Sequence, residues 1–161
     1  MFRLRLRRNS VPIGRGLESE GCVEHNFLLD QAIVEAKRSR SNLALAWIDL
    51  ENAFGSVPHS FILKSLHAVG APGSVSNIIS SFYFGASSEI RWGAGWTPIP
   101  MEAGVHQGFS LSAILFNLSL EQVLRPALEV DTEGYSLFEM PLRCLAYADD
   151  LILIDKSRES L

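Results

Sequence analysis

The sequence predicts an α+β fold in which a sheet is layered on helices. Three short apolar segments have the length and composition of buried strands, namely residues 43–48, 142–147 and 151–154. The last two are separated only by Ala148, Asp149 and Asp150, which predicts a tight antiparallel hairpin. Other segments repeat apolar residues at helical spacing. Helices mixed with strands that are adjacent in sequence are typical of the α+β class.

Length and composition limit the possible classes of protein. A chain of 161 residues allows one domain of ordinary size or a piece of a larger one. With 47% hydrophobic and 20% charged residues it is a folded globular chain, not a disordered one. No apolar stretch approaches the roughly 18 to 20 residues that cross a bilayer, so we expect no membrane partner. The two cysteines, Cys22 and Cys144, are expected to be free thiols.

The first 15 residues form a basic N-terminal segment with five arginines and no acid, whereas residues 16–161 have nine basic and 18 acidic residues, a net charge of −9. An acidic body is poorly suited to binding a phosphate backbone, so most contacts with any nucleic acid would come from elsewhere. The arginine-rich start is compatible with an organelle transit peptide. Alternation of Phe2, Leu4 and Leu6 with arginines favours a half-exposed edge strand instead.

The remaining elements follow from periodicity and turn residues. In the first half we predict a loop over residues 15–26, a helix over 27–40, the strand 43–48, a turn region over 49–58, a helix over 60–69, and a helix with a stripe of Val75, Ile78, Ile79 and Phe82.

In the second half, residues 88–92 and 96–102 predict two strands, of which Pro98 and Pro100 confine the second to a sheet edge. The glycine-bounded loop 104–108 precedes the longest helix, residues 111–124. Leu111, Ile114, Leu115 and Leu118 on one side and Phe116, Leu120 and Leu124 on another predict a helix buried on two sides.

Three carboxylates are the first candidates for chemistry. Asp149 and Asp150 lie at the tip of an apolar hairpin, and Asp49 ends another apolar strand. An isolated pair of aspartates in a turn needs no function, because Asp favours turns. If the two strands are neighbours in one sheet, however, three carboxylates meet at one edge, and a bound cation would relieve their repulsion. Oxygen ligands alone indicate Mg²⁺ or Mn²⁺.

The loop Gly104-Val105-His106-Gln107-Gly108 is the second candidate. Its glycines allow close approach of a ligand to the backbone, and the helix that follows favours negative groups. Alone, it is only a flexible start to a helix. Gln107 is either a substrate contact or a solvated side chain, and His106 is expected at the surface rather than as a base.

Taken together and in order, these motifs resemble those of reverse transcriptases. The segments are Trp47-Ile48-Asp49 with Phe54-Gly55-Ser56-Val57-Pro58-His59, then Gly104-Val105-His106-Gln107-Gly108 with Leu115-Phe116-Asn117, then Ala146-Tyr147-Ala148-Asp149-Asp150, which contains the YADD motif. The stretch from Glu20 to Phe27 is similar to a segment of the non-LTR, LINE-type retrotransposon enzymes. The resemblance covers roughly residues 16–155.

The resemblance implies a right-hand polymerase palm, an antiparallel sheet packed on helices, in which residues 16–161 form a partial reverse transcriptase domain with truncated fingers and no thumb. Asp49 and Asp149 would hold two Mg²⁺ ions, and Asp150 would complete the acidic cluster. A primer 3′-hydroxyl would attack a deoxynucleoside triphosphate. Phe54 matches the steric gate against a ribose 2′-hydroxyl, Gln107 the contact to nucleotide and template, and Gly108 the glycine that lets them approach.

The same resemblance implies an RNA template, a DNA primer and dNTP as partners of the full-length enzyme, with most nucleic-acid contacts in the missing fingers and thumb. It also implies nuclear localisation. The usual prolines after the loop are replaced by Ser110 and Ala113, and Ser110 can serve as the helix N-cap.

Two alternatives to a polymerase palm remain open. The early end of the chain favours a truncated, catalytically inactive retrotransposon remnant. A metal-dependent phosphodiesterase or cyclase would use the same carboxylates but would need neither the loop 104–108 nor Phe54.

Overall fold

The structure is a computed structural model that describes residues 13–14, 22–106, 108–128 and 134–161. Its elements in chain order are β1 (Ile13–Gly14), α1 (Cys22–Ser39), β2 (Ala44–Asp49), α2 (Ala53–Ser56), α3 (His59–Ala68), α4 (Gly73–Tyr83), β3 (Ser87–Trp92), β4 (Gly95–Pro100), α5 (Ser112–Leu128), β5 (Tyr135–Leu137), β6 (Met140–Leu142), β7 (Cys144–Tyr147) and β8 (Asp150–Asp155).

The chain divides into two compact units. The first comprises Met1–Glu51 and Glu121–Leu161, and the second comprises Asn52–Leu120. Of α5, the residues up to Leu120 therefore belong to the second unit and the remainder to the first.

The first unit is built on a four-stranded sheet with the strand order β1-β7-β8-β2. The predicted hairpin is present as β7 and β8, which pair antiparallel from Cys144↔Leu153 to Tyr147↔Asp150. Strand β2 pairs antiparallel with the other edge of β8. An antiparallel sheet was predicted, but one of its pairings differs: β1 pairs with β7 in parallel.

One face of this sheet is covered by α1. Ala32 and Ala36 of α1 are buried in a cluster that also includes Leu145 of β7 and Ile154 of β8. Alanines four positions apart lie on one face of a helix, and their small side chains allow it to pack closely on the strands. The buried apolar core of the first unit therefore lies between α1 and the sheet.

Helix α1 begins at Cys22, five residues before its predicted start, so the predicted loop was wrong for residues 22–26. These residues are mostly polar, which hid the helix. Glu24 lies in the first turn, where a negative charge is favourable against the helix dipole, and His25 is buried. The edge strand predicted for the arginine-rich start lies outside the described residues.

A second hairpin of the first unit, β5 with β6, was missed by the sequence analysis. Its turn residues, Phe138 and Glu139, both have positive φ, 51° and 64°. Asn-Gly or Asp-Gly is the usual signal for such a turn, and it is absent from this segment. The strand predicted over residues 142–147 is interrupted at Arg143, which separates β6 from β7.

In the second unit, α3 and the hairpin of β3 and β4 are close to prediction, whereas the short helix α2 was predicted as a turn. Every residue of β3 and β4 is exposed, which agrees with the edge position expected from Pro98 and Pro100.

The predicted apolar stripe of α4 is only partly buried. Ile79 is 1% exposed and the next buried residue is Tyr83, but Ile78 and Phe82 are exposed to 56% and 50%. The face of α4 that is buried is therefore rotated relative to the most apolar face, because packing selects the buried residues.

Helix α5 is buried on more than one side, as predicted, through Leu115, Phe116, Leu120 and Leu124. Two residues of the predicted stripe, Leu111 and Ile114, are exposed instead. The helix starts at Ser112, so Ser110 is not its N-cap, and it continues past the predicted end at residue 124.

Both cysteines are free thiols, as predicted. Cys22 is exposed, whereas Cys144 is buried in β7. Burial raises the pKa of the Cys144 thiol to about 11, because the thiolate would be poorly solvated. No helix among residues 22–106, 108–128 and 134–161 has both the length and the apolar character to cross a bilayer.

Two adjacent isoleucines test the packing of α4. Replacing Ile79 with Ala removes a fully buried side chain and should lower the free energy of unfolding by about 2–5 kcal/mol in urea titrations. The matched control, Ile78→Ala, truncates an exposed side chain and should change it by about 0.5 kcal/mol or less. Equal losses in the two variants would contradict the orientation of the helix.

Candidate active site

Two of the three candidate carboxylates, Asp49 and Asp150, lie at one end of the sheet. Strands β2 and β8 are neighbours, and their last residue pair is Asp49↔Asp150. Directly opposite residues in an antiparallel pair project from the same face of a sheet, so these two side chains share a face. On its other edge, Asp150 pairs with Tyr147 of β7. The condition for a shared carboxylate edge, adjacency of the two strands, is thus met.

Asp149 lies in the turn that connects β7 to β8. This turn consists of Ala148 and Asp149 alone, since Asp150 already belongs to β8. Ala148 has a positive φ of 53°, the conformation that the first central residue of a tight hairpin turn requires. Asp49 and Asp150 are exposed and Asp149 is half-buried, so solvent or a ligand can reach all three.

The donor set fits a hard divalent cation whose ligands are partly supplied by a substrate. In the part of the chain that the structure describes, no group of three or more His, Cys, Asp or Glu side chains is placed so as to hold a metal ion. Mg²⁺ is usually bound by one or two carboxylates together with water and substrate phosphates. The carboxylates of Asp49, Asp149 and Asp150 offer oxygen donors of this kind.

His25 contacts the same hairpin and was missed by the sequence analysis, which placed it in a loop. It is 6% exposed, and its ring meets that of Tyr147 edge-on with centroids 6.3 Å apart. The packing of α1 on the sheet brings the two rings together, and no local pattern in the sequence signals it.

Phe54, the candidate gate residue, lies in α2 of the second unit and is half-buried. Its ring stacks on that of Phe116 in α5, with centroids 4.4 Å apart and planes 17° apart. Phe116 is itself buried. The orientation of the Phe54 ring is therefore fixed by a contact that joins two of the motifs.

The segment that carries Phe54 is also bonded through its backbone to the loop that begins at Gly104. The amide of Val105 donates to the Phe54 carbonyl, and that of Gly104 donates to the Val57 carbonyl. The N···O distance is 2.8 Å in both bonds. A further bond of 2.9 Å runs from the His59 amide to the Glu102 carbonyl. Motifs separated by about 45 positions thus form one backbone ladder in the second unit.

The two loop glycines differ in what surrounds them. Gly104 has φ +96°, and a Cβ there would lie 3.2 Å from the Cα of Gly55, so the chain itself requires this glycine. Gly108 has φ +84° and open space on the Cβ side. Only Gly108 therefore offers the open approach to a ligand that the sequence suggested for both.

The space beside Gly55 is occupied by a different neighbour. A Cβ at this position would lie 2.5 Å from the Oδ1 atom of Asn52, whose backbone is left-handed with φ 50°.

His106 was expected at the surface rather than as a base. It is half-buried, and its ring stacks on Tyr83 with centroids 5.1 Å apart and planes only 2° apart. Gln107, the predicted contact to nucleotide and template, lies outside the described residues, and its role stays a prediction.

Comparison with known families identifies the chain. The family described as reverse transcriptase (RNA-dependent DNA polymerase) matches residues 14–161. The chain belongs to the reverse transcriptase family. This reverse transcriptase segment contains Asp49, Asp149 and Asp150 within the matched range.

Its relatives include proteins of the retrotransposable element R2, so it is a segment of a non-LTR reverse transcriptase. The Pol polyprotein of R2 from Bradysia coprophila is 34% identical over 139 residues, which cover 86% of this chain and 16% of the relative. That of R2DM from Drosophila melanogaster is 31% identical over 164 residues, which cover 99% of this chain and 15% of the relative. The chain therefore spans about a sixth of the length of these relatives.

Solved structures confirm the predicted fold class. Apo telomerase from Candida tropicalis superposes with a TM-score of 0.61 at 13% identity, covering 83% of this reverse transcriptase segment and 26% of that chain. Telomerase from Candida albicans, in complex with a TWJ fragment of telomeric RNA, gives a TM-score of 0.54 at 13% identity and covers 84% and 26%. The shared architecture is the mixed helix and sheet of a polymerase palm.

The two loop glycines provide a test of this geometry. Gly104→Ala should destabilise the protein more than Gly108→Ala, by about 1–3 kcal/mol, since only Gly104 also faces the backbone of Gly55. Both variants incur the cost of a left-handed alanine, about 1–2 kcal/mol, which the comparison cancels. Urea titrations of the two variants measure the difference, and equal midpoints would refute the close approach.

Proposed function

We propose that this segment provides the catalytic palm of an RNA-directed DNA polymerase, which adds deoxynucleotides to the 3′-hydroxyl of a DNA primer on an RNA template. The observation that carries the proposal is the register of β2 and β8, which sets Asp49 opposite Asp150 with Asp149 in the adjoining turn. The family match across residues 14–161 supports the same reaction class.

The three aspartates are proposed to hold divalent metal ions, Mg²⁺ with Mn²⁺ as a possible substitute. When bound, two such ions supply activation of an attacking oxygen and charge stabilisation of a leaving one in phosphoryl transfer. Asp49 and Asp149 are the proposed ligands, and Asp150 adds negative charge to the cluster. The paired backbones of β2 and β8 hold Asp49 opposite Asp150, so little backbone reorganisation is needed when substrate binds.

Phe54 is proposed to select deoxyribose over ribose. Its stack on the buried ring of Phe116 prevents it from turning aside, so a ribose 2′-hydroxyl that meets the ring would collide with it. Gly108, which has open space on the Cβ side, would allow nucleotide and template to approach the backbone. Gln107 is the proposed hydrogen-bonding residue next to it.

The template and primer are proposed to be gripped mainly by other parts of the longer protein. The segment after residue 15 has nine basic and 18 acidic residues, a poor composition for holding a phosphate backbone. This segment would thus position the catalytic carboxylates, and positively charged neighbouring domains would supply the affinity for template and primer.

Primer extension by the parent protein tests the role of the carboxylates. Asp149→Asn and Asp49→Asn should each lower kcat by about 10²–10³-fold, since loss of a metal ligand removes several kcal/mol of charge stabilisation. Asp30→Asn, an exposed residue of α1, is the matched control and should extend normally.

Extension that is unchanged in Asp149→Asn would end the catalytic assignment. A folded wild-type protein that extends no primer with either Mg²⁺ or Mn²⁺ would favour an inactive retrotransposon remnant.

The gate hypothesis predicts a change in sugar selection. Phe54→Val should reduce the preference for dNTP over rNTP by about 10- to 100-fold, because the smaller side chain leaves room for a 2′-hydroxyl. Phe84→Val alters an exposed ring in the same unit and serves as the control. The measurement is kcat/KM for dNTP and rNTP on one template, and an unchanged ratio in Phe54→Val argues against the gate.

A further inference from the structure

One side chain of α3 is bonded directly to the loop that precedes α5. His59 is only 9% exposed, and its Nε2 atom donates a hydrogen bond of 3.0 Å to the carbonyl oxygen of Gly104. Gly104 is buried as well. A buried carbonyl that loses its partner is costly, so this bond constrains the start of the loop.

The same histidine begins a column of three aromatic rings. The ring of His59 contacts that of Tyr83 in α4, with centroids 4.4 Å apart. Tyr83 in turn stacks on His106, with centroids 5.1 Å apart. Burial raises the pKa of the Tyr83 phenol, and an interaction with the backbone of His106 opposes part of that rise. The loop is thus held by His59 at Gly104 and by Tyr83 at His106.

The column complements the backbone bonds of the loop. The amides of Gly104 and Val105 donate to the carbonyls of Val57 and Phe54, and the Gly104 carbonyl accepts from the His59 ring. On the far side of the loop, the hydroxyl of Ser112 donates to the His106 carbonyl. Each of these contacts lies within the second unit, so their geometry follows from its own packing.

We propose that His59 is a positioning residue that sets the conformation of residues 104–106, which lead towards Gly108, for binding of the incoming nucleotide. The inference rests on the proposed polymerase function, in which Gly108 lets nucleotide and template approach the backbone. His59 acts through Gly104 and the Tyr83–His106 stack and does not itself touch the substrate. Loss of its hydrogen bond therefore weakens nucleotide binding while the chemical step, which depends on the carboxylates, is retained.

Three variants separate the hydrogen bond from the packing. His59→Phe keeps a ring against Tyr83 but has no donor for Gly104. His59→Gln lacks the ring but carries an amide N–H that can reach the same carbonyl. His67, an exposed histidine of the same helix, gives the matched control His67→Phe.

Steady-state primer extension by the full parent protein should show a split between KM and kcat. We expect His59→Phe to raise KM for dNTP about tenfold, the loss associated with one net hydrogen bond, with kcat within about twofold of wild type. His59→Gln should restore KM to within about threefold, and His67→Phe should match wild type. An unchanged KM in His59→Phe, a fall in kcat alone, or no rescue by Gln would overturn the proposal.

Amide hydrogen exchange separates failure of this inference from failure of the polymerase function. The Val105 amide should exchange about tenfold faster in His59→Phe than in wild type or His59→Gln, whether or not the protein extends a primer. If the Val105 amide exchanges faster in His59→Phe but the wild-type protein extends no primer, the proposed polymerase function fails, whereas the effect of His59 on the loop is still supported. An unchanged exchange rate of the Val105 amide in His59→Phe would refute the positioning role of His59. If His59→Phe does not fold, His106→Leu removes the other end of the column and should give the same KM shift.

Discussion

Six consecutive residue pairs join β2 to β8, from Ala44↔Asp155 to Asp49↔Asp150, and the acidic end of the sheet depends on this register. A slip by one residue would move every side chain of β2 to the opposite face and separate Asp49 from Asp150. On its other edge β8 is paired with β7. The tight turn at Ala148 and Asp149 then leaves no slack between those two strands.

The parts of the fold that the sequence predicted are those with local signals. Apolar runs of strand length identified β2, β7 and β8, and the two aspartates after Ala148 marked the turn. Strand β2 ends at Asp49 and strand β8 begins at Asp150. Antiparallel pairing of these two strands was therefore enough to bring the two acidic residues to one edge of the sheet. Which carboxylate faces which is a matter of register, and the sequence alone did not determine that Asp150 stands opposite Asp49.

The parts that escaped prediction depend on contacts between distant residues. Tyr83 and Ile79 are the buried residues of α4 because of what packs on that helix, although Ile78 and Phe82 are at least as apolar. The turn at Phe138 and Glu139 has none of the residues usually found in such turns. The bond from His59 to Gly104 joins positions that no periodicity relates.

The space beside Gly55 links two positions of the α2 segment. The side-chain amide of Asn52 fills the volume that a side chain at position 55 would enter. Since that amide is the end of a flexible side chain, a rotation or truncation at position 52 would release the volume. Substitutions at positions 52 and 55 should therefore be coupled as the family diverges. A larger side chain at position 55 should occur together with a smaller one at position 52.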